Sequence, residues 1–138
     1  MKNNYLLDSW ALLALMNEEH PAAKRVKQLL TEAIHGRSRL HLSIINLGEI
    51  YYSFGRRWGE RAADMAIERI KRMPIQLLPV DENLVLAAAW YKMNYRISYA
   101  DAFAVATAVP RNLTIVTGDP ELFALEPEIP IERLYRAR

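Results

Sequence analysis

The stretch NYLLDSWALLAL, residues 4–15, sets a short apolar run, Tyr5 to Leu7, directly against Asp8 and then resumes with apolar residues. It reads as a buried strand handing over to a helix, Ser9 to Asn17, through an Asp-Ser pair. Either side chain can accept the orphan backbone N–H groups of a first helical turn. The handover recurs down the chain. Leu40 to Leu42 leads into a helix over Ile44 to Arg57. Ile75 to Leu78 precedes a helix that starts after Asp81 and runs through LVLAAAW. Leu113 to Val116 leads into TGDPEL, and a weaker strand covers Ile129 to Leu134. Between these lie a helix from Pro21 to Ile34 and a helix over Glu60 to Met73, where Ala63, Ala66, Ile67 and Ile70 share one face. A last helix, Tyr99 to Val109, is closed by Pro110 and Asn112; it is apolar all round apart from Asp101 and Thr107 and is expected to be buried. Alternation of this kind predicts a parallel sheet covered by helices on both faces. The expected architecture is a single-domain three-layer α/β/α fold over residues 1–138, with a central, mostly parallel sheet of about five short strands.

Composition supports one folded unit. The chain has 138 residues, 51% hydrophobic and 25% charged, with five glycines and seven prolines, which argues against disorder. No apolar run approaches the ~20 residues of a membrane span, and the N-terminus lacks a signal-peptide pattern, so a cytoplasmic location is expected. The absence of cysteine excludes disulfides and thiolate chemistry. The three histidines, His20, His35 and His41, lack metal-ligand spacing, which argues against zinc. Net charge is only +2, but arginine dominates the cations, in groups such as Lys24-Arg25-Lys27, Arg56-Arg57 and Arg69-Lys71-Arg72 that permit phosphate recognition.

Four carboxylates stand out by position. Asp8 and Asp119 follow strands directly; Asp101 opens the buried helix; Glu49 lies mid-helix with no Lys or Arg at i±3 or i±4. Each has a plain structural explanation. Asp8 and Asp119 can cap helices, and Asp101 follows Ser98 at capping-box spacing. Gly48, beside Glu49, is costly inside a helix and suggests that something packs close to that turn. Together they read differently, because the carboxyl ends of parallel strands share one edge, where ligands bind. Carboxylates gathered there repel one another and call for protons or a cation. An all-oxygen set without His or Cys points to Mg²⁺ or Mn²⁺, able to activate water and stabilise charge on a phosphoryl group.

With strand-Asp8-Ser9, IINLGEIYYSFGRR, YADAFAVATA and TIVTGDPELF in this order, the sequence resembles the PIN-domain ribonucleases, and most closely the VapC-type toxins of toxin–antitoxin pairs. The resemblance runs nearly end to end, and all four of the family's acidic positions are filled, by Asp8, Glu49, Asp101 and Asp119. It implies a metal-dependent endoribonuclease acting on RNA, commonly a homodimer, inhibited by a small antitoxin protein. Ser9 and Thr117 fall where the family carries hydroxyl residues beside the metals. Arg56, two helical turns beyond Glu49, is the candidate phosphate contact. Trp10, Tyr51, Tyr52, Phe54, Trp58 and Met65 supply more large apolar side chains around two helices than a small core needs, and are expected to form a partner surface. A haloacid-dehalogenase-type phosphatase would need a second Asp where Trp10 stands. A receiver domain would need a phosphoacceptor Asp where Leu78-Pro79 stands. The alternative from another class is a non-catalytic module whose acidic groove docks a basic peptide.

Overall fold

A computed structural model describes residues 3–137. Five strands, β1 (Asn3–Leu7), β2 (Ser38–Ser43), β3 (Ile75–Leu78), β4 (Thr114–Thr117) and β5 (Ile131–Arg133), form one sheet in the order β3-β2-β1-β4-β5. Every pairing is parallel. The helices are α1 (Ser9–Met16), α2 (Ala22–Ile34), α3 (Ile44–Trp58), α4 (Glu60–Lys71), α5 (Glu82–Asn94), α6 (Tyr99–Arg111) and the short α7 (Pro120–Phe123). Strand β2 begins earlier than hydropathy predicts because Ser38 and Arg39 pair with Asn3 and Asn4, and ladder bonds satisfy polar residues as well as apolar ones.

The period-two pleat sends alternate side chains to opposite faces, and the two faces have separate cores. Leu6 and Ile115 join Ala88, Phe103, Val105 and Leu122 on one side. Leu7, Leu40, Leu42 and Val116 join Leu12, Leu15, Val26, Ile50 and Ile70 on the other. This is the three-layer arrangement expected. Helix α6 is buried from Asp101 through Ala108, with the Thr107 hydroxyl bonded back to the Phe103 carbonyl at 2.7 Å. Pro110 lies inside α6 rather than ending it. In the last turn only the bond to the Ala106 carbonyl is forgone, and Asn112, at φ 54°, closes the helix in the left-handed region.

Several of the large apolar residues expected at the surface are there: Tyr52, Trp58 and Met65 are 49%, 54% and 63% exposed. Trp10 and Phe54 are not. The Trp10 indole packs on the core and on Gly118, where a Cβ would come within 2.3 Å of the ring, so the backbone of the β4–α7 turn needs glycine to let the indole in. An apolar stripe that the hydropathy reading overlooked lies on α5, where Leu86, Trp90 and Met93 recur at i, i+4 and i+7 and are all exposed.

Nothing lies within 4 Å of a Cβ built at Gly48, which overturns the expectation of a close neighbour there: this glycine faces open space from the interior of α3. Gly48→Ala should therefore stabilise the protein by about 0.5–1 kcal/mol through helix propensity alone. A thermal melt should rise by roughly 2–4 °C; a fall would mean that the glycine serves a purpose other than packing.

Candidate metal centre

Register builds the centre. Because Leu7 pairs with Val116, the next residues on the two strands, Asp8 and Thr117, come together at the carboxyl edge of the sheet. The Thr117 hydroxyl donates to Asp8 Oδ2 and accepts from the Asp119 backbone N–H at 3.0 Å. Asp8 Oδ1 accepts from the Ala11 N–H at 2.9 Å, so Asp8 caps α1 while it faces Thr117. Asp119 likewise caps α7, accepting from the Glu121 N–H at 2.9 Å. For these two residues, capping and a place among the carboxylates of this edge hold at once.

Asp101 separates the two explanations. Ser98 Oγ caps α6 by accepting from the Asp101 N–H at 3.1 Å, which leaves the Asp101 carboxyl free of any capping duty. Its Oδ2 is buried and has no hydrogen-bond partner. An orphaned buried carboxylate oxygen is costly unless a proton or cation serves it. Ligand oxygens of Asp101, Asp119 and Glu121 all lie within 4.8 Å of one another, a grouping that fits a hard divalent cation. Asp8 and Glu49 stand outside that tight trio, but their charges reach Asp101. Glu49 Oε1 accepts from the Ser9 hydroxyl and from Asn46 Nδ2 at 3.3 Å.

Sequence reasoning missed Glu121 and Asn46. Glu121 looked like an ordinary first-turn acid after Pro120, and the turn brings it to the trio. Asn46 is fully buried with an unpartnered Oδ1, and its signal was a polar residue within an apolar run, three positions before Glu49. Arg56 is exposed, its guanidinium 5.1 Å from the centre of the Tyr52 ring. A cavity of ≈ 940 Å³ lies elsewhere, lined by Asn3, Arg37 and, from α2, Lys24, Lys27 and Glu32, and none of the acidic trio lines it.

Burial, more than repulsion, sets the protonation of the centre. Asp8 is pushed up to about 7 chiefly by burial, opposed by the Thr117 and Ala11 bonds and aided by the charges of Asp119 and Glu49. Asp101 is pushed up to about 9, again first by burial, then by Asp119 beside it and by Asp8 and Glu49.

A family model described as PIN domain matches residues 5–126. No curated protein matches the sequence. Similar solved structures include VapBC2 from Rickettsia felis bound to a DNA fragment from its promoter, with a TM-score of 0.73, 14% identity, and coverage of 96% of this chain and 99% of that one. They also include VapC20 of Mycobacterium tuberculosis, a sarcin–ricin loop cleaving toxin, at 0.71, 20%, 87% and 93%. A third is DNA-bound VapBC from Salmonella typhimurium, at 0.70, 18%, 96% and 98%. At these identities the likeness is one of fold.

The raised carboxyls make the metal-free protein sensitive to pH. In the folded state Asp8 and Asp101 hold protons that the unfolded chain releases near pH 4. Their contribution to stability is full below that pH and is lost as pH rises through about 7 for Asp8 and about 9 for Asp101. In EDTA the melting temperature should therefore fall between pH 5 and pH 9, and Asp101→Asn should melt higher than wild type at neutral pH. Mn²⁺ should raise the wild-type melt and raise that of Asp101→Asn less. A variant that melts lower in EDTA and keeps the full Mn²⁺ increment would remove Asp101 from the centre.

Proposed function

The chain belongs to the PIN domain family, and from that premise we propose that it is a metal-dependent endoribonuclease that hydrolyses RNA phosphodiester bonds, the toxin of a toxin–antitoxin pair. The observation that carries this reading is the buried, unpartnered Asp101 oxygen among the carboxylates of Asp119 and Glu121. Support comes also from the fold likeness to VapC20, described as a sarcin–ricin loop cleaving toxin, and to VapBC assemblies.

Asp8, Glu49, Asp101 and Asp119, joined by Glu121, are the residues proposed to hold Mg²⁺ or Mn²⁺, directly or through water. A bound ion of this kind supplies Lewis acidity, an activated water and neutralisation of phosphoryl charge. The protein's part is to hold the ligands rigid and to manage their protons. Thr117 pins Asp8 and the Asp119 backbone; Ser9 and Asn46 pin Glu49. Asp101, protonated near neutral pH without metal, gives up that proton on loading. Arg56, exposed on α3, is the proposed contact for a substrate phosphate.

RNA cleavage in Mg²⁺, Mn²⁺ and EDTA tests this directly. Activity should appear with either ion and vanish in EDTA, and Asp8→Asn or Asp101→Asn should lower it by about a hundredfold or more with the fold retained. A wild-type protein that cleaves no RNA yet binds a basic peptide at its acidic edge would instead favour the non-catalytic module.

The proposed homodimer and antitoxin have exposed apolar surface to use, on α5 at Leu86, Trp90 and Met93 and around Tyr52, Trp58 and Met65. No helix among the described residues is long and apolar enough to cross a membrane. Light scattering of the isolated chain should report twice the monomer mass; a monomer at high concentration would remove the dimer and leave the nuclease reading standing.

A further inference from the structure

Beside the acidic trio, between the α5–α6 loop and the segment that follows β4, lies a cavity of ≈ 200 Å³. At ~30 Å³ per water it has room for roughly seven waters, the scale of one planar heterocycle rather than a length of chain. Glu121 belongs to both places, lining the cavity while its carboxylate lies within 4.8 Å of ligand atoms from Asp101 and Asp119. The floor is apolar: Ile97 and Leu125, both buried. The rim is polar and of mixed sign. Arg96 is exposed and has no ion pair among the described residues. Glu128 is held by the Tyr95 hydroxyl, which donates to Oε2 at 2.7 Å, and the Tyr95 ring is stacked on Tyr91 with centroids 6.0 Å apart. Lys92 Nζ donates to the Ile97 carbonyl at 2.8 Å and ties the loop to α5. The wall is thus built before any ligand arrives.

We propose that this cavity is a nucleobase pocket, taking a guanine next to the reacting phosphate of the RNA, with Arg96 on a phosphate and Glu128 on the Watson–Crick edge. The inference rests on the nuclease reading for its substrate. An apolar floor suits the face of a base, and a free guanidinium suits phosphate. The carboxylate decides which base. An ionised Glu only accepts, and two parallel N–H donors match its fork. Guanine alone of the four bases offers an adjacent ring N–H and amine on that edge; adenine and cytosine place an acceptor beside the amine, and uracil has a single N–H between carbonyls.

Two arms test it. In EDTA, NMR titration with GMP, IMP, AMP, CMP and UMP should find GMP bound about tenfold more tightly than the rest, inosine included because it lacks the amine. Glu128→Gln should bring the five affinities to within about twofold of one another, and Arg96→Gln should weaken all five by roughly fivefold or more without reordering them. Both side chains lie at the surface, so the variants should fold. Equal affinities in wild type, or a guanine preference unmoved by Glu128→Gln, would overturn the pocket. In Mn²⁺, cleavage of randomised RNA should place guanine at one fixed position beside the cut, and Glu128→Gln should erase that bias. Cleavage without base bias, even where free GMP binds, would overturn the assignment to the substrate strand and leave the nuclease reading intact. Absence of all cleavage would tell against the nuclease reading, and the binding arm would then decide the pocket.

Discussion

The pairing of β1 with β4 is the constraint on which the rest of the molecule depends. Leu7 opposite Val116 fixes Asp8 opposite Thr117, and the Thr117 hydroxyl then serves both Asp8 and the Asp119 backbone. A slip of one residue would turn Leu7 and Val116 to the wrong core and break both bonds. The two hydrophobic layers therefore enforce the geometry of the polar edge between them. Trp10, seated on Gly118, locks the same turn from the other side.

That edge is built against the preferences of its own groups. Asp8 and Asp101 are buried, and burial is the first reason their carboxyls hold protons well above the usual range. The fold stabilises them only in part: Asp8 has two donors, whereas one oxygen of Asp101 has none. A protein that carries such a group sacrifices stability at neutral pH to keep its carboxyls together at this edge. The ordinary needs of the chain and those of the site are met by the same residues where that is feasible, as at Asp8 and Asp119, which cap helices as well. Asp101 is the exception, since Ser98 does the capping and leaves the carboxyl free.

The surroundings of the edge are graded. Ser9 and Asn46 hold Glu49 from one flank, and Glu121 extends the acids toward the loop that carries Arg96 on the other.

Much of the fold was legible from one dimension. Alternating strand and helix segments predict a covered parallel sheet because hydropathy with its period carries that information locally. The order and context of Asp8, Glu49, Asp101 and Asp119 marked the edge for the same reason, since parallel strands send their carboxyl ends one way. What the sequence could not separate was a cap from a ligand: Asp8 and Asp101 looked equally like helix caps, and only the contacts of Ser98 and Ala11 distinguish them. Nor could it say that Trp10 turns inward, that Gly48 has open space, that Glu121 joins Asp101 and Asp119, or that Arg96 and Glu128 share a cavity. Those facts depend on which residues far apart in the chain become neighbours. Local propensity does not encode that distance; packing of the two cores against one sheet decides it.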